Sequence, residues 1–600
     1  MGFTAVAGRE VEAKASYVIA EGASLTDVVD GLDRTSPEFV AFRRPVDGGW
    51  ADVTAAEFAA QVRAIAKGLI ASGVRAGDRV ALMSSTRYEW TLIDYAIWTA
   101  GACTVAIYDS SATDQARWIL EDSGTTLLIV ENERHAATVA EIETPDLIET
   151  LRLDAGAVES LTARGSAVAD EVLAERRARV GAATPATLIY TSGTTGRPKG
   201  VVLTHENLLA ESLSGKLALR HLLAEGKTTL MFLPLAHVFA RAIAVGSLAA
   251  KVTVAHTSDW TTLTTQFASY KPDFILAVPR VFEKVYNGAK QQAHDSGKGK
   301  IFDLAADTAI AWSQAQQSGG ASLLLRAKHA VFDKLVYAKL RAALGGRCIG
   351  AVSGGGPLGA RLGHFFRGIG VPVFEGYGLT ETSAAITVNT VPRMRVGTVG
   401  VPLEGNAVRI AEDGEVLLKG NLVFNGYWKN EAATAEAITD GWFHTGDLGA
   451  LDADGFLSIT GRKKEVIVTA AGKNVSPAPM EDTLRAHPLI GQCMIVGDNK
   501  PFVGVLITLD RDALPGWRAR NNIPDDATIE DLTTHPALVA EIDAAVSDSN
   551  AKVSKAESIK KIRILAADWS QETGELTPKL SLKRAVVLDK YAADVAAIYS

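Results

Sequence analysis

From about residue 79 the chain alternates short apolar runs with stretches of helical periodicity: "RVALMSS", "WTLIDYAIWTAGA", "CTVAIY", "ATDQARWILEDSG" and "TLLIV" follow in close succession. Runs of this kind, apolar on both faces, need cover on both sides, and the periodic stretches between them supply it. The rhythm predicts α/β units around a largely parallel sheet. It returns after residue 186 with "ATLIY" as a buried strand, a Gly-rich loop, "GVVLTH" as a second strand, and a helix opening near Thr204 with Asn207 three residues on. Later units are "TTLMFL" with a helix after His237, "KVTVAH", "DFILAV" with a helix from Pro279, and "RCIGAVSGG" with "RLGHFFRGIG". There is no fixed-period repeat.

After residue 390 the texture turns to β: "GEVLLKG", "FLSITG" and "EVIVTA" alternate as strands, with "DADG" (Asp452 to Gly455) as a hairpin turn. A compact unit follows, with strands "QCMIVGD" and "FVGVLITLD" and a last segment to Ser600. At 600 residues the chain exceeds what one hydrophobic core supports. The charged run Arg462-Lys463-Lys464 separates two apolar strands, which divides the chain into a large domain over 1–461 and a small α+β domain over 462–600. Between Val285 and Arg347 lies a helix-rich decoration of the large domain. Its residues Lys328, Lys334 and Lys339, beside Leu323, Leu324 and Val336, suit a lipid surface as well as solvated helices packed on the core.

Several function classes are disfavoured. A net charge of -8 over this length speaks against a dedicated nucleic-acid surface, which needs a clustered positive field. Cys103, Cys348 and Cys493 are far apart and form neither a disulfide framework nor a metal-ligand spacing, so a reducing, cytoplasmic setting is expected. Charges at Arg9, Glu10, Glu12 and Lys14 deny the N-terminus the apolar core of a signal peptide. The most apolar stretch, Leu233 to His256, is interrupted by His237, Arg241 and Lys251, so any membrane contact is expected to be peripheral.

The Gly-rich loop lies within "YTSGTTGRPKG", Tyr190 to Gly200. It is not a Walker phosphate loop: five residues on from Gly193 is Pro198, and Lys199 is followed by Gly200. What remains is a loop between strands in which backbone N–H groups, the hydroxyls of Thr191, Ser192, Thr194 and Thr195, and the Lys199 charge can converge on oxyanions. A mobile surface turn has the same composition.

The complete string resembles the signature of the adenylate-forming superfamily of acyl-CoA synthetases, luciferases and nonribosomal-peptide adenylation domains. "EGYGLTET" (Glu375 to Thr382), "HTGDLG" (His444 to Gly449), "ITGRKKE" (Ile459 to Glu465) and "AAGKNVSPAPME" (Ala470 to Glu481) also match that family, in its order, across roughly 190 to 585. The resemblance implies its fold, a large domain of layered α/β sheets with a β-subdomain and a small mobile C-terminal domain. It also implies a reaction in two steps: a carboxylate attacks the α-phosphate of ATP, then the thiol of coenzyme A attacks the acyl adenylate. Both steps need charge stabilisation and in-line positioning rather than a protein nucleophile.

Carried onto this chain, the resemblance gives each motif a role. Thr191, Ser192, Gly193, Thr194, Thr195, Gly196 and Lys199 hold the pyrophosphate end of ATP. Gly354 and Gly355 of "SGGGPL" permit close backbone approach, as a slot for adenine or a ligand chain requires. Glu375, Gly376 and Tyr377 line the nucleotide site, with Tyr377 offering a flat face to the base. Thr380 and Glu381 supply a hydroxyl and a carboxylate, and Glu381 suits Mg2+, which takes hard oxygen ligands and phosphates. Asp447 accepts the ribose hydroxyls, and Arg462 adds a charged contact to ribose or phosphate. His237 of "PLAHVFAR" stands beside the acyl carboxylate, Lys464 is the hinge of a domain rotation, and Gly472 faces the pantetheine passage.

"PLAHVFAR", "VPRVFEKVY" (Val278 to Tyr286), "GQCMIVGDNKPFVGVLITLD" (Gly491 to Asp510) and "LTPKLSLKR" (Leu576 to Arg584) are similar to segments of bacterial long-chain fatty-acid CoA ligases, which implies medium or long fatty acids as substrates. Two positions depart from the pattern. Ser581 occupies the place of the family's adenylation lysine, flanked by Lys579 and Lys583, whose side chains leave an extended backbone on the same face; Lys579 is the favoured substitute. Four residues after His237, where some relatives carry an aromatic tunnel gate, stands Arg241, readable as an electrostatic gate or as a surface residue. Two alternatives remain: an acyl-AMP ligase that loads a carrier protein, disfavoured by the uninterrupted run "ITGRKKEVIVTAAGKNV", and a non-catalytic nucleotide- or lipid-binding protein, supported by Ser581 alone.

Overall fold

The apolar runs become the strands of two parallel-cored sheets. In this computed structural model, which describes residues 3–6, 9–191, 197–524, 526–577 and 581–600, the first sheet has six strands. Their order is Lys199–Thr204, Pro185–Thr191, Cys103–Ile107, Arg79–Met83, Thr125–Val130, Glu149–Arg152. All neighbours are parallel except the edge pair Lys199–Thr204 with Pro185–Thr191. The second sheet, of nine strands, has a parallel centre of Val373–Tyr377, Gly350–Ser353, Phe274–Ala277, Thr228–Met231, Thr253–His256 and Val40–Val46, with antiparallel additions at both edges. Strand Cys103–Ile107 is buried at every position, as a sheet covered by helices on both faces demands. The helix His205–Ala218 starts where Thr204 Oγ1 accepts the Asn207 N–H at 3.2 Å and Asn207 Oδ1 accepts the Thr204 N–H at 3.0 Å, a reciprocal cap.

The β-texture after residue 390 forms a third, antiparallel sheet in which Glu10–Ala13 pairs with Asn406–Ile410, followed by Glu415–Gly420, Trp442–Leu451 and Leu457–Arg462. The Asp452 to Gly455 turn closes the last hairpin, with Asp452 Oδ1 accepting the Asp454 and Phe456 N–H groups. One detail differs from the sequence reading and one adds to it. "EVIVTA" contributes only the two-residue strand Ile467–Val468, which pairs with Asn474–Val475. "HTGDLG" lies inside the ten-residue strand Trp442–Leu451. That strand slips register against Glu415–Gly420 while Gly446 sits at φ 70°, and such a bulge re-aims the neighbouring side chain, Asp447.

Beyond Arg462 a separate apolar core begins at Ile467, built on Ile490–Val496, Val503–Leu509 and Ile559–Leu565, with Val503–Leu509 fully buried. The large and small units meet through polar groups: Arg280 with Asp510 at 2.9 Å, Arg520 with Asp295 at 2.8 Å, and Ser476 Oγ donating to Thr460 O at 2.6 Å.

Arg241 is not a surface residue. It is 1% exposed, on the helix Val238–Ala249, and its guanidinium forks onto Asp94 of the helix Tyr88–Thr99, with Nε 2.8 Å from Oδ2 and Nη2 on Oδ1. Arg241 also donates to Thr187 Oγ1 in the first sheet and lies 5.2 Å from the ring centroids of both Trp90 and Trp98. Thr104 Oγ1 donates to the same Asp94 at 2.7 Å. A guanidinium in an apolar helix interface needs such a partner. Arg241→Ala leaves Asp94 buried without its counter-charge and is expected to cost about 3–5 kcal/mol in denaturant unfolding, whereas Arg241→Met combined with Asp94→Leu recovers most of that loss. Equal destabilisation of the single and double variants would contradict this account.

Candidate active site

The Gly-rich loop connects two antiparallel strands and is closed by the register pair Thr191 and Lys199. Ser192, Gly193, Thr194, Thr195 and Gly196 lie outside the described residues. Its C-terminal end is anchored: Arg197 lies 4.6 Å over the Trp118 ring, Trp118 Nε1 donates to Pro198 O at 2.8 Å, and the Trp428 N–H donates to Gly200 O at 2.7 Å. Lys199 Nζ stands 4.9 Å over the Tyr427 ring, and Tyr427 OH donates to Glu381 Oε1 at 2.9 Å. One tyrosine therefore links the loop cation to the candidate metal carboxylate.

The segment Glu375 to Thr382 runs off the strand Val373–Tyr377 into a short 3-10 turn, Thr380–Thr382. Its path is tight: a Cβ on Gly378 would stand 1.6 Å from Ala384 O, so only glycine fits. Tyr377 OH donates to Asp447 Oδ2 at 2.6 Å, and Arg462 Nε lies 3.0 Å from Asp447 Oδ1. Asp447 is 4% exposed, and this cluster joins the second sheet to the third. Burial, with the Asp447 carboxylate beside it, pushes the Tyr377 hydroxyl far above the ordinary phenol range, so it remains a donor. Glu375, accepting the Leu358 N–H at 3.0 Å, is pushed up to about 7, first by burial, with Asp482 adding to the rise.

Beside this cluster is a cavity of about 70 Å³. Gly354, Gly355, Gly376 and Thr380 line one part, His237 and Phe239 another, and Leu219, Ile243, Val388 and Leu403 give it an apolar wall. His237 caps the helix Val238–Ala249, its Nδ1 accepting the Phe239 N–H at 3.1 Å, and the Phe239 ring lies against Gly354, where a Cβ would approach it to 3.4 Å. The structure thus brings His237, Gly354, Gly355, Gly376 and Thr380 to one cavity and connects Tyr377, Asp447 and Arg462 directly.

The remaining candidates belong to the small unit and its border. Lys464 is an exposed residue of the 3-10 turn Lys463–Glu465 between the two apolar cores. Gly472, at φ 75° with open space around its missing Cβ, closes a turn onto Thr469 O. Lys579 lies outside the described residues. Thr577 and Ser581 exchange hydrogen bonds, the Thr577 N–H with Ser581 O at 2.8 Å and the Ser581 N–H with Thr577 Oγ1 at 3.1 Å. Lys583 then donates its N–H to Glu575 O, and Arg584 pairs with Glu481 at 2.7 Å. Tyr427 and Glu211, a cavity-wall carboxyl, were not singled out in the sequence. Tyr427 lies outside the motif strings, and Glu211 has the composition of an ordinary helical surface residue.

A family model described as AMP-binding enzyme matches residues 32–428, and one described as AMP-binding enzyme C-terminal domain matches 464–600. The chain is 54% identical over 597 residues to the long-chain-fatty-acid–CoA ligase FadD15 of Mycobacterium bovis, covering 99% of this chain and 100% of that protein. It is 31% identical over 606 residues to the long-chain-fatty-acid–CoA ligase ACSBG2 of Gallus gallus, covering 92% and 78%. Among solved structures, the adenylation domain of a carboxylate reductase from Mycobacterium chelonae superposes with a TM-score of 0.74 at 21% identity, covering 97% of this chain and 92% of that one. O-succinylbenzoate coenzyme A synthetase from Bacillus subtilis, in complex with ATP and magnesium ion, does so with 0.65 at 22%, covering 93% and 98%. Similarity at these identities shows the fold.

Glu375 gives the site a pH signature. Its unfolded carboxyl titrates near 4.5 and its folded one near 7, so the folded state holds a proton that the unfolded chain lacks across that window. Its contribution to stability therefore falls as pH rises from about 4.5 to about 7 and is level above. Glu375→Gln keeps an acceptor for Leu358 and is expected to remove that slope, leaving the variant more stable than the parent at pH 8 by on the order of 3 kcal/mol in thermal or denaturant unfolding. Superimposable pH profiles would refute the assignment.

Proposed function

The chain belongs to the AMP-binding enzyme family, and on that premise we propose how its residues divide the work of a long-chain fatty-acid CoA ligase. Such a ligase activates a fatty acid with ATP and passes the acyl group to coenzyme A. In the first step a carboxylate oxygen of the acid bonds to the α-phosphorus as the bond to the bridging oxygen breaks and pyrophosphate leaves. In the second the thiol sulfur bonds to the acyl carbon, AMP leaves with the oxygen, and the thiol proton passes to solvent. The observation that carries the division is that the Gly376 to Thr380 segment borders a largely apolar cavity and, through Tyr377, joins the Asp447 carboxylate and Arg462 guanidinium.

In this reading Tyr377 faces the adenine, Asp447 accepts the ribose hydroxyls, and Arg462 stands against ribose or phosphate. Thr191, Lys199 and the Ser192 to Gly196 loop take the pyrophosphate end, and His237 lies beside the acyl carboxylate. Among the described residues no group of three or more His, Cys, Asp or Glu could hold a metal by itself. A single carboxylate, Glu381, with substrate phosphates and water matches the way Mg2+ is bound, and the ion supplies charge neutralisation on the phosphates. Lys464 is the hinge between domains 1–461 and 462–600, and the polar contacts between the units suit a surface that parts and re-forms. Gly472 then borders the coenzyme A passage, and Lys579 or Lys583 serves adenylation in place of Ser581.

No helix among the described residues is long and apolar enough to cross a membrane. A peripheral contact is supported by the helix Leu323–Phe332, which continues through Asp333–Tyr337 and Ala338–Ala343. Leu324, Val331 and Leu335 form an exposed stripe at helical spacing, with Leu323 82% exposed at its start. Arg326, Lys328, Lys334 and Lys339 flank it, while the only acid, Asp333, is tied to Arg341. This pattern fits the surface of an anionic membrane, such as its inner face.

Purified protein with ATP, Mg2+ and a panel of fatty acids should release pyrophosphate and AMP and form acyl-CoA only with coenzyme A present. Acyl-AMP that accumulates despite coenzyme A would favour a carrier-loading ligase, and no turnover a non-catalytic role. Asp447→Asn is expected to lower kcat/KM for ATP by about tenfold or more. Of Lys579→Ala and Lys583→Ala, one should lose adenylation while still converting synthetic acyl-AMP; full adenylation in both would remove these lysines from the site. Co-sedimentation with anionic vesicles should be lost on replacing Leu323, Leu324 and Leu335 by Ser, with turnover of a water-soluble short-chain acid unchanged; undiminished binding would refute the lipid-facing stripe.

A further inference from the structure

One buried acid in the cavity wall has no part in either chemical step. Glu211 lies on the helix His205–Ala218 and is 6% exposed, facing the same cavity as His237. The cavity it lines has an apolar wall of Leu219, Ile243, Val388 and Leu403 beside the polar segment at Gly376 and Thr380. The Ala385 N–H lies near its carboxyl group and favours the charged form, while Oε2 meets no hydrogen-bond partner among the described residues. Burial pushes the carboxyl well above the ordinary carboxylate range, so it stands as a neutral acid, able both to donate and to accept. The other unpartnered polar atom of this wall, Ser353 Oγ, directly precedes Gly354 and Gly355 and falls with the nucleotide-side residues.

We propose that Glu211 is the receptor for a hydrogen-bonding oxygen on the acyl chain, so that the cavity takes hydroxylated or oxo-bearing fatty acids in preference to plain ones. The proposal rests on the reading of this cavity as the acyl site. An unsubstituted chain laid along the wall expels water from Oε2 and returns nothing to it, whereas a hydroxyl or carbonyl at the same depth completes its hydrogen bonding. The discrimination has a direction. A wall built to hydrogen-bond a substituent rejects the chain lacking it more strongly than an all-apolar wall rejects the chain that has it.

The test compares kcat/KM for hexadecanoate with a series of its mono-hydroxylated positional isomers, in the parent enzyme, Glu211→Gln and Glu211→Leu. The parent should prefer the hydroxylated acid at one position or two adjacent ones. Glu211→Gln, neutral and still hydrogen-bonding, should keep that preference. Glu211→Leu should shift the ratio toward hexadecanoate by about tenfold or more, with kcat/KM for hexadecanoate itself rising. If hexadecanoate is turned over but the ratio at every position is the same in parent and Glu211→Leu, the Glu211 assignment falls and the ligase reading stands. If the parent activates no acid of the series, the ligase reading falls first. Should Glu211→Leu not fold, calorimetric titration of the parent with the same acids decides: tighter binding at one position supports the proposal, and equal affinity at all positions overturns it.

Discussion

The two parallel-cored sheets are tied together through their covering helices by the buried fork between Arg241 and Asp94. Arg241 comes from the helix that follows Thr228–Met231 in the second sheet, and Asp94 from the helix between Arg79–Met83 and Cys103–Ile107 in the first. Methyl groups in such an interface tolerate sliding, but two desolvated charges are satisfied in one geometry. Thr104, Thr187, Trp90 and Trp98 occupy the remaining faces of the pair. The Arg241 N–H also bonds to His237 O at 3.3 Å, one helical turn back, so the fork fixes where His237 enters the cavity.

No single sheet contains the candidate site. The first contributes the closing pair Thr191 and Lys199 at its antiparallel edge, the second the C-terminal ends of Gly350–Ser353 and Val373–Tyr377, and the third Asp447 and Arg462. Loops at strand ends of open α/β sheets are where ligands gather, because backbone N–H groups and small residues come together there. Here the third sheet meets the second through Tyr377 on Asp447, and Tyr427, in the loop after Glu415–Gly420, holds Glu381. Both contacts use a tyrosine hydroxyl to hold a carboxylate in place before any ligand is bound.

Much of this was legible in the sequence for physical reasons. Uninterrupted apolar runs such as Cys103–Ile107 and Phe274–Ala277 admit little but a covered strand, and Thr204 with Asn207 marks a helix start by its own hydrogen bonds. What escaped depended on partners distant in sequence. The charge of Arg241 suggests solvent or ligand, and only Asp94, 147 positions away, explains its burial. Asp447 is singled out by its motif, but its bulge inside a strand is not, because a glycine such as Gly446 permits a turn and a bulge alike. Tyr427 matters through two neighbours, Lys199 and Glu381, that no local spacing connects to it.

The border between the units carries a property that neither has alone. Asp482 of the small unit is pushed up to about 7, first by burial, against the lowering effect of Arg485, with Glu481 beside it and Glu283 of the large unit adding to the rise. Asp482 in turn raises Glu375, back in the large unit. The protonation of Glu375, on the segment that carries Tyr377, is therefore set in part by an acid of the small unit, so the border between the units reaches electrostatically into the candidate site.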